Sequence, residues 1–289
     1  MSRTPRLVVA ESEHPLREAE LFVAVTFLIA AGVYLPLLAR DLGWIGTTLP
    51  PGLQIVGILS PGIATLVIHL YDDGVDGVRS ALGGLAAWRF GRIWWGVTLA
   101  LPPGFAAVYA GAYIGLGHDF VPEPIQMVSE SGVAIVLLIL MMIVLSAGEE
   151  IGWRGHLLPL LQARMSALTA SLVLGVVWAV WHVPVFYGAG IEGWAFPLRI
   201  VSIFGGAVVY TWLFNNTGGS VLAVTLLHAG TNFWGRLLGP IPTPTPAATA
   251  FTAVNILLAV VLIVIFGGAT LTDRRGLPGS PTASHLLDR

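Results

Sequence analysis

Three short stretches of this chain set reactive side chains in surroundings that ought to exclude them. Gly148-Glu149-Glu150-Ile151-Gly152-Trp153-Arg154 puts two carboxylates and a guanidinium at the end of a long apolar run. Trp178-Ala179-Val180-Trp181-His182-Val183-Pro184 sets an imidazole among tryptophans, and His228-Ala229-Gly230-Thr231-Asn232 places an imidazole and an amide inside another apolar run. Residues four apart share a helical face, so Glu150 can reach Arg154, Trp178 stacks beside His182, and His228 sits beside Asn232. An ionisable side chain within an apolar membrane helix is expensive and marks function by default. Three helices, each with one polar face, are best satisfied by turning those faces inward around one wet cavity. Two carboxylates, two imidazoles and an amide gathered there suit activating a water and stabilising an oxyanion.

Each stretch also has a plainer reading. Glu149, Glu150 and Arg154 could form an ion pair at a helix end, a lone histidine could be packed and hydrogen-bonded, and His228 with Asn232 could bond neighbouring helices together. The same expensive choice repeated on three helices argues against all three plain readings at once. The other histidines carry less: His69 closes an apolar run and can snorkel to the interface, His14, His118 and His285 fall in loops or tails, and His156 is merely close to the carboxylates.

The elements that must position these groups follow from composition. The 289 residues are 55% hydrophobic and 10% charged, against about 25% charged in ordinary soluble domains, and mean hydropathy is +0.82. The chain is therefore read as an all-α, polytopic membrane protein. Its basic residues are all arginine, its net charge is −2 and it has no cysteine. Those facts exclude a basic nucleic-acid-binding face, a disulfide scaffold, a thiol nucleophile and cysteine-ligated metals. A spanning helix needs about 20 mostly apolar residues, and about eight stretches qualify: Glu20–Leu38, Gly52–Leu70, Ile93–Leu116, Gly132–Gly148, Thr169–Tyr187, Leu198–Phe214, Ser220–Leu238 and Ala250–Thr270. The reactive stretches fall on the fourth, fifth and seventh, so the cavity is expected between those helices. This divides the chain into an N-terminal tail over 1–19, a membrane domain over 20–271 with its motif-bearing core at 132–238, and a C-terminal tail over 272–289.

Cytoplasmic loops of membrane proteins carry the excess of Lys and Arg. With the N-terminus inside, the inner segments hold Arg3, Arg6, Arg17, Arg79, Arg89, Arg92, Arg154, Arg164, Arg274, Arg275 and Arg289, and the outer loops hold only Arg40, Arg199 and Arg236. Both termini are thus expected in the cytoplasm. The segment Val75–Arg92 reads equally as an interfacial helix or a solvated loop. If the fourth helix ended at Gly148, Glu149 would lie near the inner face while His182 lay ~20 Å deeper. The two come to similar depth if that helix continues past Arg154 toward Pro159 and the fifth starts below the membrane surface. In that arrangement the site is expected to open to the cytoplasm.

Glu-Glu-x-x-x-Arg, then aromatic-x-x-x-His, then His-x-x-x-Asn, on successive helices, resembles the CAAX-processing and bacteriocin-processing (CPBP, or Abi) family of intramembrane endopeptidases. The second motif begins with Trp178 where the family usually has Phe, which keeps an aromatic wall beside the imidazole. The resemblance implies that Glu149 is the general base on an attacking water held by His182. His228 and Asn232 would stabilise the tetrahedral oxyanion, with Glu150, Arg154 and Trp178 in support. It allows both metal-dependent and metal-free chemistry. Glu149, His182 and His228 are a set able to hold Zn²⁺ with one position open for water, and the reading leans to water activation without an obligatory zinc.

The expected substrate is a membrane-embedded or lipidated peptide or protein, the only other partner expected is the lipid bilayer, and no nucleic acid is expected. Arginine-only basic usage with Ala, Gly and Val richness points to a bacterial cytoplasmic membrane. Sequence alone does not fix the oligomeric state. Other intramembrane proteases fit poorly: Gly115-Leu116-Gly117-His118-Asp119 interrupts a Gly-x-Gly-Asp motif with a histidine, and Gly218-Gly219-Ser220 lacks the context of a serine nucleophile. The rivals from other classes are a proton-coupled transporter using the same buried groups as a relay, and a non-catalytic membrane scaffold.

Overall fold

The computed structural model describes residues 13–117, 132–237 and 245–272, and among these residues it is built of helices and turns without strands. In chain order the helices are α1 (Pro15–Asp41), α2 (Leu53–Ile58), α3 (Ser60–Gly83), α4 (Arg92–Gly115), α5 (Gly132–Gly152), α6 (Leu158–Gln162), α7 (Ala167–Gly188), α8 (Ala195–Asn216), α9 (Val221–Leu237) and α10 (Thr245–Phe266). Six described segments are long and apolar enough to cross a membrane, among them the unbroken run Gly132–Gln162. Their outward residues are apolar, as lipid requires: Leu28, Leu137, Val180 and Val264 are all exposed.

One of the eight expected spans differs in form. The stretch Gly52–Leu70 is not one helix: α2 ends at Ile58, and α3 starts at Ser60 and runs on to Gly83. Pro61 has no N–H to continue the ladder, and Gly74 takes a left-handed φ of 63° that kinks α3. Within the segment Val75–Arg92, Val75–Gly83 is helical and Ala87–Gly91 is not. The expected seventh span forms α9, which is described as far as Leu237. The N-terminal helix begins at Pro15, inside the expected tail. Residues 1–12 of that tail, the loop containing His118, most of the Pro-rich run after Leu238 and most of the C-terminal tail with His285 lie outside the described residues.

The fourth expected span does continue past Arg154. A single π-helical turn, Trp153–Leu157, joins α5 to α6, and such turns are often found at functional sites. A tight turn follows, where Ser166 caps α7 by accepting from the Thr169 backbone N–H at 3.1 Å. Glu149 then lies 13 residues before Gln162, and Trp178 lies 11 residues after Ala167. At 1.5 Å per residue these are comparable depths of ~20 and ~17 Å.

Contacts near that turn gather one face of the bundle. Arg164 donates to the Glu13 carbonyl at 3.3 Å, and the Ala167 and Leu168 backbone N–H groups bond to Ala269 and Gly268. Asn215 donates to Thr270 O, and Ser220 donates to Ala87 O at 2.7 Å. The start of α1, the α3–α4 connection, the α6–α7 turn, the α8–α9 turn and the end of the described chain thus share a face, as the arginine-based reading requires. The opposite face carries the end of α1 and the α7–α8 connection.

Candidate functional site

The Glu149–Glu150 pair sits where α5 is pressed hardest against another helix. Gly148 and Gly152 flank it one turn apart, and a Cβ on either would collide with Leu59 or Pro61 at the α2–α3 junction. Small residues at that spacing let backbones approach closely in membranes. The junction in turn is tied to α7, because the Trp181 indole N–H donates to Ser60 Oγ at 3.0 Å. Close packing around the motif explains how both carboxylates are removed from water: Glu149 is 5% exposed, and Glu150 and Arg154 are fully buried.

Burying three charged groups demands compensation, and the structure supplies it from four helices. One Arg154 terminal nitrogen donates to both oxygens of Glu150, at 2.9 and 3.1 Å. The guanidinium carbon lies 4.3 Å from the Trp178 ring centroid and 4.7 Å from that of Tyr210. Such cation–π contacts strengthen when desolvated. They cover the Arg154 Nε and its second terminal nitrogen, which have no hydrogen-bond partner among the described residues. Glu150 also meets His228 Nδ1 at 2.8 Å. A carboxylate accepts from that nitrogen, so the pair fixes the ring's orientation and directs Nε2 at Glu149, whose Oε1 lies 3.9 Å away. That distance is too long for a direct hydrogen bond. The other Glu149 oxygen accepts from the Trp178 indole N–H at 3.1 Å.

His182 stands one turn beyond Trp178. Its Nδ1 faces the Trp178 carbonyl at 2.9 Å, and a carbonyl can only accept, so Nδ1 carries the proton and Nε2 keeps a lone pair. The ring packs edge-on against Trp178 and Trp181. Asn232, the last of the expected residues, is exposed on α9 and makes no hydrogen bond to the other candidates among the described residues. The structure therefore brings Glu149, Glu150, Arg154, Trp178 and His228 into one contact network. His182 is at the network's edge, and Asn232 lies one turn further out.

Tyr210 on α8 was not found from the sequence. It is buried against Arg154, Trp178 and His228, at 5.8 Å from Trp178 and 5.5 Å from His228 between ring centroids. An aromatic residue in an apolar helix looks like core, and nothing in the spacing of α8 reports that its neighbour is a buried arginine.

Glu149, His182 and His228 do not converge as a metal set. Among the described residues no group of three His, Asp or Glu side chains is placed to hold one ion. The Glu149 oxygens face the Trp178 indole and His228 Nε2. No step is derived through a metal.

Exposure across the network is graded along the bundle. Arg154 and Glu150 are fully buried, Glu149, Trp178 and His228 nearly so, His182 is half-buried and Asn232 exposed. The last two lie away from the α6–α7 turn.

The comparisons with known proteins fall on this same segment. Residues 131–234 match the family model of type II CAAX prenyl endopeptidase Rce1-like proteins. The CAAX prenyl protease 2 of Methanococcus maripaludis is 30% identical over 98 residues, covering 31% of this chain and 36% of that protein. The match thus spans about a third of the length of that curated relative. All three motifs, Tyr210 and the buried ion network lie within 131–234, the segment that is similar to these CAAX proteases.

Proposed function

We propose that this protein is an intramembrane endopeptidase that hydrolyses a peptide bond in a membrane-embedded or lipidated peptide or protein. The carrying observation is Glu149: a buried carboxylate held by the Trp178 indole, with the His228 ring 3.9 Å away and His182 one turn beyond Trp178. In this reading a water lies between Glu149 and His182 Nε2. Its oxygen attacks the scissile carbonyl carbon while its proton passes to Glu149. The carbonyl becomes a tetrahedral oxyanion, stabilised by donors from His228 and, once substrate closes the site, Asn232. Collapse breaks the C–N bond, and Glu149 returns the proton to the leaving amine. Glu150 and Arg154 keep His228 and Trp178 in place. Each role rests on the family resemblance together with the contacts described above.

The curated relative's name specifies prenylated CAAX substrates for that protein, and a membrane-anchored peptide is the corresponding class here. The protein is oriented with its termini in the cytoplasm, by its arginine distribution, as in a bacterial cytoplasmic membrane. A mixture of lipid-anchored peptides, incubated with the purified protein in bilayers, tests the reading by mass spectrometry. New fragments with the wild type and none with Glu149→Gln are expected. Equal fragmentation by both would contradict it.

A further inference from the structure

We infer that Tyr34 of α1 is a substrate-positioning residue, whose hydroxyl donates a hydrogen bond to a backbone carbonyl of the bound peptide beside the scissile bond. The inference rests on the proposed proteolytic function and adds to it a group from outside the segment 131–234. Two observations carry it.

The first is an unmet donor. Tyr34 is 9% exposed, and its hydroxyl is buried with no hydrogen-bond partner among the described residues. A buried polar group left unpaired costs stability and calls for an explanation. Thr26, Ser146 and Thr225 also bury unpaired hydroxyls, but a short side chain on a helix can turn to the carbonyl one turn before it. A phenol carries its hydroxyl too far from its own backbone to do so, and its acceptor has to come from another element or from a ligand. The ring is also fixed in place. A Cβ on Gly57 would lie 2.7 Å from Tyr34 Cζ and 2.9 Å from its hydroxyl oxygen, so the phenol tip rests directly on the α2 backbone.

The second is where that hydroxyl lies. Leu59 and Pro61, just after Gly57, pack on Gly148 and Gly152 at either side of the carboxylate pair. Depth along the bundle agrees. Phe22 packs on Trp153 at 5.7 Å between ring centroids. Measured from that contact away from the α6–α7 turn, Glu149 is one turn off, ~6 Å, and the Tyr34 backbone ~18 Å. Side chains on a helix lean toward its N-terminus, so the phenol reaches back toward the level of Glu149. The charged side chain whose field reaches the hydroxyl is that of Glu149, yet the two make no hydrogen bond. A neutral donor held near the base but not on it borders the space that a peptide must fill to be attacked by the Glu149 water. Its natural acceptor is a peptide carbonyl, and holding the chain there fixes the scissile bond relative to the base.

Replacing Tyr34 with Phe removes the hydroxyl and keeps the ring on Gly57. With a lipid-anchored peptide that the wild type cleaves in bilayers, Tyr34→Phe should raise KM about 2- to 10-fold at nearly unchanged kcat, the signature of binding shared by ground and transition states. The unfolding midpoint in detergent should stay the same or rise, because the deleted hydroxyl has no partner in the protein. In a second series, single amides beside the scissile bond of that peptide are replaced by esters, whose carbonyls are weaker acceptors. One such ester should raise KM for the wild type and not for Tyr34→Phe. An unchanged KM for Tyr34→Phe overturns the inference. So does a lowered midpoint, which would give the hydroxyl a structural role, or an ester effect of equal size in both proteins. Failure of the proteolytic reading itself would appear separately, as cleavage unaffected by Glu149→Gln in the bilayer assay.

Discussion

The bundle contains two buried clusters with imidazoles, and they differ in what surrounds them. In one, Glu149, Glu150, Arg154 and His228 form a charged network roofed by Trp178 and Tyr210 and leading outward through His182. In the other, His69 of α3 and His156 of the π turn meet at 3.2 Å, with Phe22 packed on His156. His156 is 3% exposed, and its Nε2 has no hydrogen-bond partner among the described residues. The second cluster is one imidazole bonded to another, a means of burying the His156 ring beside a half-buried His69. The first holds charges that must be compensated at every atom and leaves one carboxylate oxygen facing an imidazole across a gap wider than a hydrogen bond. Buried polarity is common to both clusters, and a carboxylate facing an imidazole belongs to one.

Substitutions should separate the clusters, beginning with the largest effect. Glu149→Gln keeps the shape and removes the base, so peptide cleavage should fall by about 10²–10⁴-fold, read as initial rate in bilayers, while the protein still folds. Removing one partner of a buried ion pair costs about 3–5 kcal/mol. Arg154→Met should therefore lower the unfolding midpoint strongly in detergent, and adding Glu150→Gln should restore part of the loss. A Trp178→Phe change removes the indole donor from Glu149 but keeps a ring. Hydrogen bonds to charged groups contribute about 1.5–3 kcal/mol, and a drop in kcat larger than the change in KM is the expected signature.

The smallest effects belong to the aromatic stack and to the histidine pair. Replacing Tyr210 with Phe should leave activity within a few-fold. Replacing it with Leu should lose a cation–π contribution of about 2 kcal/mol, visible as a lower unfolding midpoint that the Phe variant does not share. His156→Phe should shift stability without lowering the cleavage rate of the folded fraction. If it abolished cleavage while the protein stayed folded, the contrast between the clusters would be wrong.

Much of this site is written in local spacing. Glu150 to Arg154 and Trp178 to His182 are each one helical turn, and the cost of burying such residues marks them without any knowledge of packing. Tyr210 escapes because its significance lies in Arg154, on another helix and far away in sequence. The break before Ser60 is signalled by Pro61, yet the apolar run continues across it, so hydropathy alone joins two helices into one span. Asn232 has the right spacing from His228, but that fixes only its helical face and says nothing about its distance from the buried charges. The direction in which the site opens depends on which side chains fill the space between helices, and period and composition carry no information about that. The packing of the buried leucines between the ion network and the α6–α7 turn is seen only in the structure.

The most direct test of the central claim compares peptide termini in membranes from cells carrying the wild-type protein or Glu149→Gln, with equal amounts of each folded protein. New termini that arise with the wild type and disappear with the substitution are the predicted result, and their sequences identify the bond that is cut. Identical terminus profiles in the two membranes, alongside a cellular phenotype that still depends on the protein, would contradict proteolysis and leave a transporter or scaffold in its place.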